Sequence, residues 1–319
     1  MAVFPIGPGV PDLSSTGPSG LTVAQIVLPF IQKNNAVSVY YDIAHTDIDT
    51  QSGDTFVMST IQDVTITDDL PIGSKIPRQM LAYPKVELKI DKSADFGIFF
   101  DKVQVKQANK EYIGAQSAQA AVNLQNRIDT RVLGSIISDV DPSNTGATAG
   151  AQSGLYNLGV SGTPVEFNPS NSIMYLSMCN AVLDEQEAPQ EGRFCIINAA
   201  MNTALMNSNL KVASHMGTGK ESIILGNGRL PWPVANMEIY VNSHLPGATE
   251  TVGGVSTKCI KPIFGVKGKA FAFGQQMKLF REIEDPDRWG WNEDGKEVFG
   301  WEVTNGQNLG YGEVYVNLT

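Results

Sequence analysis

The sequence predicts an α+β chain, and three observations carry that prediction. Residues 103–140 contain no proline, and apolar or small residues recur there at Val105, Ala108, Tyr112, Ala115, Ala118, Ala121, Leu124, Ile128, Leu133 and Ile136. Steps of mostly three and four put them on one helical face. Residues 55–67 and 84–91 alternate, with Val64 and Ile66 in the first run and Val86, Leu88 and Ile90 in the second. That is the period of a half-buried strand. From about 141 to 260 short strand-like and helix-like runs are mixed, which reads as a second, α/β unit.

In chain order, residues 1–20 hold Pro5, Pro8, Pro11 and Pro18 among Gly and Ser, an extended arm and not a core element. Residues 21–31 read as a short amphipathic helix and 36–43 as a strand. The runs 55–67 and 84–91 read as one long hairpin. The tip between them, with Pro71, Gly73, Pro77 and Pro84, is too long for a tight turn. A two-stranded hairpin alone is marginal in water, so this one lies either on another copy of the chain or on a larger internal sheet.

Residues 96–100 form a strand that turns through Asp101-Lys102 into the long helix. At 1.5 Å per residue that helix is about 50 Å long, close to the diameter of a compact globule of this chain length. A plate-like or elongated subunit accommodates it better than a ball. Gly114 leaves two shorter helices open, because Gly costs about 1 kcal/mol inside a helix. Asp141-Pro142 and the Gly-rich stretch after it end the helix.

Residues 141–163 then read as a loop and 170–187 as a helix stopped by Pro189 and Gly192. Residues 194–197 are a short buried strand, and Asn198 is an N-cap for a helix over 199–209. A polar, Gly-rich loop over 211–230 precedes a strand at 237–241. Residues 259–264 and 269–283 read as strands, 285–294 as a loop carrying a turn, and 298–303 and 312–318 as the terminal strands.

Composition limits function. Hydrophobic content of 42% supports a real core, and charged content of 18% is low, as on a surface covered by something else. The net charge of −10 argues against broad affinity for nucleic acid, which needs Lys and Arg to displace counterions. It suits a surface to which nucleic acid does not stick. Cys179, Cys195 and Cys259 are odd in number and widely spaced, which suggests free thiols in a reducing compartment. The first residues lack a basic region followed by an apolar run, so no signal peptide is expected. No stretch approaches roughly 18 apolar residues, so no membrane span is expected.

Chemistry is sparse. His45, His215 and His244 are far apart and sit in no metal or protease spacing. Gly217-Thr218-Gly219-Lys220 is close to a phosphate loop, but Ser214 stands where Gly is needed and Glu221 where Ser or Thr is needed. Asp139, Asp141, Ser143 and Asn144 lack the Gly and Glu of a calcium loop and read better as a helix-ending turn. There is no G-x-S-x-G elbow. Trp289, Trp291 and Trp301 read as core or interface anchors. No catalytic, cofactor-binding or metal-binding residue is predicted, and no enzymatic activity.

The order of elements, from arm and long hairpin to strand, very long helix, α/β unit and returning strands, resembles the major capsid protein of tailed double-stranded DNA bacteriophages, the Hong Kong 97-type fold. The segments Val86-Glu87-Leu88-Lys89-Ile90, Phe99-Phe100-Asp101 and Ala120-Ala121-Val122-Asn123-Leu124-Gln125-Asn126-Arg127-Ile128-Asp129 are similar to the entry and body of the spine helix in podophage-like coat proteins. Gly192-Arg193-Phe194-Cys195-Ile196-Ile197-Asn198 and the stretch from Val234 to Ser243 before His244-Leu245-Pro246 are similar to their axial domain. The resemblance rests on the number and order of these loose profiles across nearly the whole chain.

The resemblance implies an N-terminal arm (1–49), an extended loop (50–92), a peripheral domain with the spine helix (93–140 and 262–300) and an α/β axial domain (141–261 and 301–319). It implies pentamers and hexamers closing into an icosahedral shell around double-stranded DNA, bound without sequence specificity. Scaffolding, portal and decoration proteins would be the partners, with assembly in the host bacterial cytoplasm and a final place in the virion capsid. It puts Ile72, Lys75, Ile76, Arg78 and Lys85, in the extended loop, at the contact between subunits. Some relatives crosslink a loop lysine; Lys75 and Lys85 lie in the right segment, but no matching Asn or catalytic carboxylate is identifiable, and no crosslink is predicted. An encapsulin-like nanocompartment shell and a soluble α/β hydrolase are the alternatives. The hydrolase needs a pocket joining His215 or His244 to a carboxylate and a nucleophile.

Overall fold

A computed structural model describes residues 39–46, 54–59, 64–69, 73–80, 85–107, 110–208 and 233–318. The proline-rich residues 1–20, the helix expected over 21–31 and the loop over 211–230 lie outside them.

Where a strand was expected over 36–43, the chain makes a helical turn, α1 (Tyr40–Ile43). The cause is remote in sequence. The Asp129 carboxylate accepts from the amides of Val39 and Tyr40 at 3.2 and 3.3 Å, satisfying donors that open a helical turn. The segment then runs beside the sheet, with His45 N donating to Phe271 O at 2.8 Å and Phe273 N to His45 O at 3.0 Å.

β1 (Thr55–Ser59) and β2 (Lys85–Lys89) pair antiparallel from Thr55↔Lys89 to Ser59↔Lys85. The predicted hairpin exists at its base, and farther out the described residues 64–69 form no regular strand. β3 (Lys92–Asp101) leads directly into α2 (Lys102–Gln107), where Asp101 Oδ1 accepts from Val103 N at 2.8 Å. α3 (Lys110–Ser135) follows with 26 residues, about 39 Å of helix. It runs through Gly114 without a break. It ends sooner than its apolar pattern does, tightening into a 3₁₀ turn over Ile136–Asp139. There the Ser135 and Ser138 hydroxyls bond back to carbonyls three or four residues earlier, which competes with regular helix.

The remainder comprises β4 (Val165–Phe167), α4 (Ser172–Glu185), β5 (Arg193–Ile197), α5 (Ala199–Met206) and β6 (Glu238–Val241). Then come β7 (Gly247–Val252), β8 (Val255–Ile260), β9 (Ile263–Val266), β10 (Phe271–Glu284), β11 (Gly290–Val303), β12 (Leu309–Tyr311) and β13 (Val314–Val316). Asn198 caps α5 as expected, its side chain accepting from Met201 N at 2.8 Å. The loop expected over 285–294 is a correction. Only 285–289 turn, and residues from Gly290 onward already pair with β3, starting at Gly290↔Asp101. Pairing on both edges overrides the turn character of Asn292, Asp294 and Gly295.

These strands form sheets ordered β10-β11-β3, β12-β9-β5-β6 and β4-β13-β8-β7, plus the β1-β2 ribbon. β5 is buried at every residue, and its alternating side chains enter two cores. Cys195 and Ile197 pack with Leu176, Cys179, Leu183 and Met201. Phe194 and Ile196 pack with Ile128, Val132, Leu133, Phe271 and Phe299. A strand covered on both faces must be apolar throughout, and the Phe-Cys-Ile-Ile run satisfies that. Arg193 begins it with a buried guanidinium. This group donates to Asn180 O and Oδ1, Ala188 O and Pro189 O, and meets Asp184 at 2.7 Å. It thereby fastens the end of α4 to the strand.

Candidate assembly interface

The hairpin is anchored at its base and bare at its tip. Leu88 and Ile90 are buried, Ile90 N donates to Asp54 O at 2.9 Å, and β2 packs against β11. A Cβ on Gly300 would lie 2.1 Å from Lys89 O, so only glycine lets β11 come this close. The base therefore packs against the β10-β11-β3 sheet while remaining its own two-stranded ribbon. Beyond it, every described residue of 64–69 and 73–80 is exposed. Ile66 is 82% exposed, Ile76 77% and Met80 99%. Among the described residues, the side chain of Gln79 joins the two limbs: Thr65 N donates to Gln79 Oε1 at 3.1 Å, and Gln79 Nε2 to Thr65 O at 3.2 Å.

Of the predicted contact residues, Lys75, Ile76 and Arg78 are exposed on the second limb, and Lys85 is exposed where β2 begins, opposite Ser59. Ile72 lies outside the described residues. The apolar Ile76 stands between two cations on a segment that its own chain does not cover.

A second exposed surface went unseen in the sequence. The far end of the β10–β11 ribbon carries Leu279, Phe280 and Ile283, all exposed, with Trp289 at its turn 81% exposed. The sequence predicts the strand over 269–283, but the loop expected over 285–294 hid the ribbon that displays them. Trp291 and Trp301 are packed. Trp301 stacks on Phe299 at 5.8 Å beneath the Lys92 ammonium, and Trp291 lies against Phe100 at 6.2 Å. An open cleft of about 390 Å³ lies between β3 and α3, with Asp95, Phe96, Arg127 and Arg131 in its lining.

Asp129 ties three separate segments together. Besides the amides of Val39 and Tyr40, its carboxylate accepts from the Asn242 side chain, and His244 Nδ1 lies 3.4 Å from Oδ2. Burial raises its pKa above the usual carboxylate value, against the lowering effect of those hydrogen bonds. A His–Asp pair is one part of a hydrolase. Here, however, the carboxylate is engaged with backbone amides and Asn242, and among the described residues no hydroxyl or thiol bonds the His244 ring. His215 lies outside the described residues. The three thiols are free and buried, and burial pushes Cys195 up to about 12, which suits packing and not nucleophilic chemistry.

No family model matches the sequence, and no curated protein does. Solved structures do. The chain is similar to one from Mycobacterium phage Che8 at 15% identity and a TM-score of 0.69, covering 92% of this chain and 98% of that one. It is similar to the capsid structure of Cyanophage P-SCSP1u at 15% identity and a TM-score of 0.64, covering 98% of both chains. The holo-SrpI encapsulin complex of Synechococcus elongatus PCC 7942 matches at 9% identity and a TM-score of 0.53, over 92% of this chain and 91% of that one. Over nearly its whole length, then, the chain has the fold of phage capsid proteins, a fold it also shares with an encapsulin.

Proposed function

We propose that this chain is the major capsid protein of a tailed double-stranded DNA bacteriophage, a non-enzymatic building block of Hong Kong 97-type architecture. It assembles as pentamers and hexamers into an icosahedral shell around the packaged genome. The observation that carries the reading is the likeness to capsid structures over nearly the full length of both partners, in a chain whose hairpin tip lies bare. In this reading residues 1–49 are the arm and 50–92 the extended loop. Residues 93–140 and 262–300 are the peripheral domain, and 141–261 and 301–319 the axial domain. β9 hydrogen-bonds to β5 across the boundary at 262, which makes those two domains one continuous body.

The exposed Lys75, Ile76, Arg78 and Lys85, with Ile72, then lie over a neighbouring subunit. Stable contacts between proteins bury about 1,200–2,000 Å², and a projecting ribbon with apolar tips supplies such area only against other copies. The acidic balance of −10 keeps the wall from trapping a polyanion. Scaffolding, portal and decoration proteins complete the assembly in the bacterial cytoplasm, and the product resides in the virion capsid.

Expression of the chain, alone and with candidate scaffolds, followed by negative-stain microscopy, tests this. Closed particles of uniform diameter are expected; only small dispersed species under all conditions would overturn it. The encapsulin likeness supports a second reading, a nanocompartment shell, which requires an enzyme cargo to co-purify with the particles.

A further inference from the structure

The β4-β13-β8-β7 sheet brings Glu250 of β7, Cys259 of β8 and Glu313, just before β13, onto one face. The register requires it. Ala248 and Tyr315 both pair with Cys259; Glu250 stands two residues after Ala248 and Glu313 two residues before Tyr315, so all three side chains leave the sheet on one side. A carboxylate oxygen from each Glu and the Cys259 sulfur lie within 4.8 Å of one another. The turn at 161–162 closes over the group, Ser161 Oγ donating to Glu250 Oε1 at 2.6 Å and Gly162 N to Oε2 at 2.8 Å.

Glu313 gives the cluster its meaning. It is only 2% exposed. Its Oε2 faces Lys261 Nζ at 3.6 Å, while its Oε1 is buried with no hydrogen-bond partner among the described residues. A buried carboxylate oxygen without a donor is costly, so this position calls for positive charge. A proton shared with Glu250 would supply it, leaving the sulfur only a weak 3.8 Å contact to Thr257 O. A cation uses all three groups. One sulfur and two carboxylate oxygens form the donor set of a borderline divalent ion such as zinc, whereas calcium and magnesium take oxygen alone.

We propose that Glu250, Cys259 and Glu313 form a binding site for a divalent cation of the zinc class. Cys259 binds as thiolate: its S–H proton passes to solvent as the sulfur–metal bond forms, and no atom changes oxidation state. Lys261 stays on Glu313 Oε2, and its charge moderates the affinity. Water fills the open coordination position from the side where Glu250 is only half-buried. The ion would brace β7, β8 and β13 against the turn at 161–162.

The test uses the full chain stripped with a chelator and titrated with zinc chloride by calorimetry and with cobalt chloride by absorption spectroscopy. One ion per chain is expected, with a thiolate-to-cobalt charge-transfer band. Cys259→Ser should remove the band, while Cys179→Ala should keep it. Zinc affinity should fall no less than roughly ten- to hundredfold in Cys259→Ser and in Glu313→Gln, since even outer-shell changes cost that much. Should a variant fail to fold, the wild-type melting temperature still decides, because a bound ion must raise it. No zinc binding by the stripped wild type, the outcome expected of a shared proton, would overturn the proposal. So would binding that both variants retain.

Discussion

Arg193 and Asp129 show how single buried charges fasten this chain. Arg193 meets four acceptors and a carboxylate through a planar fork. Arg193→Ala should cost about 3–5 kcal/mol, because its removal strands those acceptors. Arg193→Lys should recover only part, since an ammonium cannot reproduce the fork; urea unfolding of both variants measures this. Asp129 behaves oppositely with pH. Its folded pKa is raised, chiefly by burial. Its favourable contribution is therefore complete below the unfolded value of about 3.9 and is lost as pH rises through the folded value. Wild-type stability should thus decline relative to Asp129→Asn as pH rises from about 4, as denaturant midpoints at several pH values would show. Neither role was legible in the sequence. Asp129 sits within the apolar register of α3, and its partners Val39, Tyr40 and Asn242 lie far from it along the chain.

At the scale of elements, local pattern was read correctly where local forces decide. The three-and-four spacing of Ala118, Ala121, Leu124 and Ile128 marked α3, the alternation of Val86, Leu88 and Ile90 marked β2, and Asn198 marked the start of α5. Reading failed where pairing or capping comes from a distance. α1 exists because Asp129 caps it, and the first residues of β11 are a strand because β3 and β10 flank them. The β7–β8 hairpin was missed although Gly253-Gly254, both with positive φ, is a favoured tight-turn pair. The hairpin base depends on another glycine. Gly300→Ala places a methyl on Lys89 O and should destabilise by about 1–3 kcal/mol. It should also release the ribbon, seen as faster protease cleavage within residues 60–84 while the remaining fragment resists.

For the whole molecule the decisive property is what the chain leaves uncovered. Replacing residues 60–84 with a short Gly-containing turn removes the bare tip and spares both cores. The variant should keep its circular dichroism and cooperative melting yet form no closed particles, by size-exclusion chromatography and negative stain. Assembly of the intact chain should strengthen with added salt, because subunits of charge −10 repel one another until screened.

β5 is a party wall with a furnished room on each side. Phe194 and Ile196 belong to one, Cys195 and Ile197 to the other, so neither room can be vacated while its neighbour stands. Trimming either side, by Cys195→Ala or Ile196→Ala, should lower one shared calorimetric transition and not split it. A shell built as proposed from such bricks would give way by shedding entire subunits, and the ribbons would be where it bends first.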